Sequence, residues 1–387
     1  MQRYTIQTLR GLLLLGLSFS SAGAATVGGV TTDKPQVDVV FVLDTTGSMG
    51  GLIAAAKQKI WAIANTLAQA QPAPRIRMGL IGYRDRGDQY VTSRTDLTEN
   101  LDAVYEALMA FAADGGGDGP ESVNQALHEA VTHLSWRPER DTYKAIFLVG
   151  DAPPHMDYQD DVKYTESTRL ATQRGIVINT IQCGSDGGTM PVWQEIAQRA
   201  EGRYFQVEQG GSAVAIATPY DAELARLSHA MDETRMAYGT PVEQAGLEAR
   251  FALSDKFRAA APAAALASRA ELNAKAAGAD NLLGDKELVR DVKEGRVDLA
   301  ALEEDQLPAP LKALPKRERA RHLEEQAKKR EGLQARLRDL SERRQRHIAV
   351  EVEKRKAAPE SLDHKLYSAI RSQAAAKGIH YDQGPAY

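Results

Sequence analysis

With 387 residues, 43% of them hydrophobic, the chain has room for two packed domains and the composition of a globular protein. A net charge of −4 excludes bulk electrostatic attraction to nucleic acid, and a single cysteine, Cys183, excludes an internal disulfide framework. Aromatic residues are only 6% of the total, so part of the chain is expected to lack a dense core.

The first residues read as a signal peptide over 1–25. Arg3 and Arg10 precede an apolar run from Leu12 to Phe19, and Ala22-Gly23-Ala24 fits a small-x-small cleavage site near Ala24 or Ala25. The run is shorter than the ~20 residues that span a bilayer. The expectation is an exported protein, periplasmic or secreted, with no stable membrane insertion after cleavage.

Residues 36–215 alternate between strand-like and helix-periodic stretches. "QVDVVFVLD" is nearly continuous in apolar residues, as in a strand buried on both faces, and the following helix sets Ile53, Ile60, Ile63 and Leu67 on one stripe. "RIRMGLIGYRD" is a second strand and "QYVTSRTDL" a short edge strand. Two helical stretches, the buried strand "YKAIFLVGD", helix 160–173, strand "GIVINTIQC", helix 191–200 and strand "RYFQVE" follow. This order predicts an α/β fold, a doubly wound, mostly parallel sheet with helices on both faces. Cys183 ends one of these apolar runs and reads as a buried, inert thiol.

Beyond residue 215 the pattern turns helical. Residues 216–280 read as one amphipathic helix, over 220–238, and an alanine-rich connector interrupted by Pro262; residues 281–387 read as a charged helical region. Its thin seam of Leu323, Leu333, Leu337 and Leu340 does not sustain heptads, which leaves a coiled coil, or a solvated hairpin folded against the first domain. Self-association through these helices is one expected role. The interspersed Lys, Arg, Glu and Asp read as a solvated face rather than a nucleic-acid surface.

The chemistry concentrates where the first strand ends, in "DTTGSM", because the carboxyl ends of parallel strands are where ligands bind. A phosphate loop would place a lysine after the second glycine; here Ser48 follows Gly47 and the next lysine is Lys57. A Ser48 or Thr46 nucleophile would need a base, for which only His155 offers itself, on a loop where an exposed histidine is the ordinary case. A hard cation fits better. Asp44, Thr46 and Ser48 alternate so that their oxygens can converge, and two further strand ends bring Asp114, Asp118 and Asp151.

The stretch from about Val37 to Gln209 resembles the von Willebrand factor A domain, and "DTTGSM" looks like its metal-ion-dependent adhesion site. The segments "GYRD", "GGGDGPE" and "GDAPPH" are similar to those of a bacterial exported branch of that family. The resemblance implies one Mg²⁺, or Mn²⁺ or Ca²⁺, held by Asp44, Thr46, Ser48, Asp118 and Asp151. Adhesion-type members have threonine where this chain has Asp118. Asp118 also reads as the cap of a helix, with Glu121 completing a capping box. A third carboxylate would leave the site negative and favour neutral or basic partners over acidic ones.

Arg86-Gly87-Asp88 reads as turn chemistry, and Asp85 as a surface aspartate, with a supporting place behind the metal as its alternative. The sequence thus points to a non-enzymatic, exported module that binds another protein through a divalent cation. The alternatives are a metal-assisted hydrolase using the same ion and a purely structural envelope protein.

Overall fold

The computed structural model describes residues 34–117, 119–210, 216–355 and 362–384. Six strands form one sheet: β1 Gln36–Asp44, β2 Arg75–Tyr83, β3 Thr92–Thr98, β4 Tyr143–Gly150, β5 Ile176–Cys183 and β6 Tyr204–Val207, in the order β3-β2-β1-β4-β5-β6. Only β3 runs antiparallel, at the edge, and its alternating exposure matches its one-sided burial. β1 and β4 lie at the centre, so both of their faces are covered, which their unbroken apolar sequences require.

The helices are α1 Gly50–Leu67, α2 Leu101–Ala110, α3 Val123–Thr132, α4 Tyr164–Gln173, α5 Thr189–Arg199, α6 Asp221–Asp232, α7 Pro241–Ala260, α8 Ala263–Asn273, α9 Ala279–Leu283, α10 Leu288–Lys293, α11 Ala309–Lys312, α12 Lys316–Arg355 and α13 Leu362–Ala374. Successive β1 side chains point to opposite faces of the sheet. Val37, Val39, Phe41 and Leu43 enter one core, with residues of α1, α2, α7, α8 and α13. Val40 and Val42 enter the other, with residues of α3, α4 and α5.

The composition changes near residue 215, but in space the described residues from Lys34 onward form one compact unit. After β6 the chain makes a long helical excursion and returns as α13 to the same face of the sheet as α1. There Leu366 joins Phe41, Leu43, Val149 and Ile181, and Gln373 exchanges hydrogen bonds with Asn179 and accepts one from the Tyr143 hydroxyl. Lys59 of α1 and Asp363 of α13 make a buried ion pair at 3.1 Å.

Three elements depart from the sequence reading. The helix expected over 220–238 ends at Asp232, where Arg235 and the Thr234 hydroxyl hydrogen-bond its last carbonyls, and Met236 turns into a separate core with Leu288 and Leu311. The charged region holds one 40-residue helix, α12, in place of a hairpin or a self-contained coiled coil. Its seam packs on three successive clusters, through Leu323, then Leu337, then Ile348 and Val352. The helix expected to start at Asp118 begins later, and Asp118 itself lies outside the described residues. Glu121 N–H donates to the Pro153 carbonyl, Glu121 bridges to Pro154, and the helix starts only at Val123.

Candidate metal centre

β1 delivers Asp44 to the carboxyl edge of the sheet, level with Tyr83 at the end of β2 and beside the end of β4. Gly150 closes β4 without a side chain; a Cβ there would strike the Tyr83 hydroxyl and press on Asp44. The chain then turns through Gly47–Met49 into α1. Thr46 fixes the carboxylate, its N–H and hydroxyl donating to Asp44 Oδ1 at 2.8 and 2.6 Å. Asp44 Oδ2 is buried and accepts no hydrogen bond. The Thr46 hydroxyl lies 3.4 Å from that of Ser48, which is exposed.

The glycine loop covers this turn. Gly115 and Gly116 have φ of 75° and 79°, and a Cβ on Gly116 would crowd Thr46 and the Glu121 carboxylate. Gly47 N–H donates to the Gly115 carbonyl at 3.1 Å, and Asp88 accepts from Gly116 N–H at 3.0 Å. Asp114 is exposed, takes the N–H of Gly115 and has Arg84 at 3.9 Å. Asp118 lies outside the described residues.

Asp151 begins the loop after β4. Its Oδ2 accepts from Gln209 Nε2 at 2.6 Å, and the same nitrogen lies 3.4 Å from the Ser48 carbonyl, so Gln209 ties the first loop to the third. The Thr189 hydroxyl holds the Asp151 carbonyl at 3.1 Å. Of the five residues expected at the site, the structure thus links Asp44, Thr46 and Ser48 directly, and ties Asp151 to their loop through Gln209. Among the described residues no three of His, Cys, Asp and Glu gather into a metal cluster; two aspartates and two hydroxyls make up this grouping.

Two contributors escape sequence reasoning. Gln209 is an ordinary glutamine after an edge strand, with no local signal. Glu121 reads as a cap partner, yet its side chain is buried beneath the glycine loop with Oε2 unpartnered. Burial, reinforced by the charges of Asp44, Asp85, Asp88 and Asp151, pushes its carboxyl up to about 9. Burial likewise pushes Asp44 up to about 7, opposed by the hydrogen bonds from Thr46, aided by the Asp151 charge and opposed least by the nearby Asp151 backbone N–H.

The donors suit a hard cation. They are all oxygens, one carboxylate oxygen is buried and unpartnered, and the carboxyls disfavour one another's ionisation, which a divalent ion would reverse. Lys57, the nearest lysine, donates to the carbonyls of Met109 and Phe111 at 3.1 and 2.7 Å, away from any phosphate role.

His155 is buried rather than exposed. Its ring stacks on Tyr158 with centroids 4.0 Å apart, with Nδ1 2.8 Å from Asp157 and Nε2 3.3 Å from Asp85. Asp85 is buried too, where the sequence reading had it on the surface, because it accepts hydrogen bonds from the Ser122 and Tyr158 hydroxyls. In the Arg86-Gly87-Asp88 turn, Arg86 pairs with Asp160 and Asp161, and Gly87 has a φ of 93°. Cys183 is buried, and burial raises its thiol far above the ordinary range.

A family model described as the von Willebrand factor A domain matches residues 38–218. Von Willebrand factor A domain-containing protein 7 of Rattus norvegicus is 32% identical over 154 residues, 40% of this chain and 16% of its own. A putative ariadne-like RING finger protein of Acanthamoeba polyphaga mimivirus is 26% identical over 123 residues, 32% of this chain and 12% of its own. The chain therefore spans a small part of either relative's length. Among solved structures, proximal thread matrix protein 1 from the mussel byssus is 15% identical, with a TM-score of 0.36, over 46% of this chain and 42% of its own.

Proposed function

Residues 38–218 are a von Willebrand factor A domain, of a kind that commonly mediates protein interactions, and from that premise we propose a cation-dependent protein-binding module. One divalent ion, Mg²⁺ or in its place Mn²⁺ or Ca²⁺, is held at the carboxyl edge by Asp44, Thr46, Ser48 and Asp151. Asp118, outside the described residues, is the fifth proposed ligand. One observation carries the reading: Asp44 Oδ2 is buried with no partner. Leaving a buried carboxylate without a counter-charge is costly, and no described residue offers it one.

Thr46 occupies Oδ1 and so presents Oδ2 as the free donor. Gln209 holds Asp151 in place at an oxygen that the ion would take from it. When bound, the ion supplies an open coordination position for an oxygen of the partner protein. The proposal assigns no catalytic residue. It places the protein outside the cytoplasm on the strength of the signal-peptide pattern over 1–25, which lies outside the described residues. No helix among the described residues is long and apolar enough to cross a membrane.

Titration with Mn²⁺, followed by electron paramagnetic resonance, tests the reading. The expected result is one saturable site per chain, competed by Mg²⁺ and absent in Asp44→Ala, which still melts cooperatively. A wild-type protein with no saturable site overturns it.

A further inference from the structure

Three of the large apolar side chains left exposed among the described residues lie on this edge, Met156 at 47% and Val162 at 37% on the loop after β4 and Met190 at 41% in the first turn of α5. Met190 follows Thr189, which binds the Asp151 carbonyl; Met156 follows His155, whose N–H binds the Glu121 carbonyl at 3.0 Å. Both methionines are thus carried by segments fastened to the cation edge. Methionine is unbranched and polarisable, and it adapts to apolar surfaces of varied shape.

The surroundings are acidic. Asp157 and Asp160 have side chains 74% and 75% exposed, and Asp186 is exposed as well. Nearby cations are already engaged, Arg86 with Asp160 and Asp161, and Lys163 with the Tyr158 carbonyl. One divalent ion would balance Asp44, with its buried and unpartnered Oδ2, and Asp151, and around it Asp157, Asp160, Asp161 and Asp186 outnumber Arg86 and Lys163 even with Arg86 paired. An acidic ligand approaching this rim meets like charge, and a basic one is drawn in.

The geometry points to the rim formed by Met156, Asp157, Asp160 and Met190 as a docking surface for a basic, amphipathic segment of a partner protein. Such a segment sets a lysine or arginine beside a long apolar side chain. The inference rests on the cation-edge reading for its placement and specifies the partner's chemistry.

The test uses the full chain in the presence of Mg²⁺ and three labelled probes. These are an amphipathic Lys/Leu peptide, its Glu/Leu counterpart of equal length, and polylysine. Fluorescence anisotropy should show the Lys/Leu peptide binding tightest, with an affinity that falls as salt rises. Asp157→Asn with Asp160→Asn, and separately Met156→Ser with Met190→Ser, should each weaken that binding about fivefold or more. The Mn²⁺ site and the melting curve should stay unchanged in both double variants. Tighter binding of the Glu/Leu peptide, equal binding of polylysine, or Lys/Leu binding indifferent to both double variants would overturn the inference. An intact Mn²⁺ site with no Lys/Leu binding sinks the inference and spares the cation reading. Lys/Leu binding at the rim without any Mn²⁺ site does the reverse.

Discussion

Buried carboxylates receive opposite treatment at the carboxyl edge and in the helical layer. Where α2, α6, α7 and α8 meet, Asp102 is buried against Arg269, which grips both its oxygens at 2.7 and 2.8 Å and reaches Asp232 at 2.9 Å. Burial pushes the Asp102 carboxyl up, but Arg269 more than reverses this and leaves it below its ordinary value. Glu287, also buried, takes two hydrogen bonds from Arg330 of α12 at 2.8 and 2.9 Å. At the carboxyl edge Asp44 and Glu121 are as deeply buried, yet each keeps an unpartnered oxygen and a raised pKa. For Asp102 and Glu287, which serve the fold, the chain supplies a guanidinium. At the ligand edge no described residue supplies a counter-charge to Asp44, and in the proposed reading a cation from solution would.

The contrast breaks most visibly if the helical-layer pairs are dispensable. Arg269→Ala strands Asp102 and Asp232 in the interior and is expected to cost about 3–5 kcal/mol in urea unfolding; a loss below about 1 kcal/mol would put Asp102 and Asp44 in the same class. The opposite sign is expected at the edge. Asp44→Asn, measured without divalent ions at mildly alkaline pH, should stabilise the protein by about 1–3 kcal/mol, because it removes an uncompensated buried charge. The same variant should no longer gain stability from added Mn²⁺, whereas the wild type gains it by mass action.

Acidity sharpens the comparison further. The folded Asp44 carboxyl sits at about 7, above its ordinary 3.8, so the fold prefers the protonated form. In the ion-free protein this group therefore makes stability fall as pH rises from about 4 to about 7. Proton and cation compete for the same oxygen, so Mn²⁺ affinity should drop about tenfold between pH 8 and pH 6. Asp102 has a lowered value, and its contribution is present above its ordinary 3.8 and is lost only as pH falls through the depressed folded value. A pH-independent Mn²⁺ affinity would separate the ion from Asp44. The smallest effect belongs to Gln209→Ala. Removing the amide that occupies Asp151 Oδ2 should tighten Mn²⁺ about threefold, because the hydrogen bond to that carboxylate no longer has to be exchanged for the ion.

The sheet and the first loop were legible in the sequence because their signals are local. A continuous apolar run such as that of β1 implies burial on both faces, and the Asp44–Ser48 loop follows directly from it. The burial of His155 and Asp85 was not legible, since it depends on Tyr158 stacking over one and hydrogen-bonding the other. The burial of Glu121 was not legible either, since it depends on the Pro153 carbonyl that takes its N–H and on the glycine loop above its carboxylate. The return of α13 to the α1 face was likewise hidden. Its apolar stripe fits any amphipathic helix, and only the contacts of Leu366, Ile370 and Gln373 tell which surface it covers.

Crystals of the full chain grown with Mn²⁺ and measured at the manganese absorption edge give the most direct test of the central claim. The account predicts a single anomalous peak within coordination distance of Asp44 Oδ2, the Ser48 hydroxyl and Asp151, with Gln209 turned away from the carboxylate. Diffraction without such a peak, with Asp44 still unpartnered and Gln209 still bound to Asp151, would contradict it.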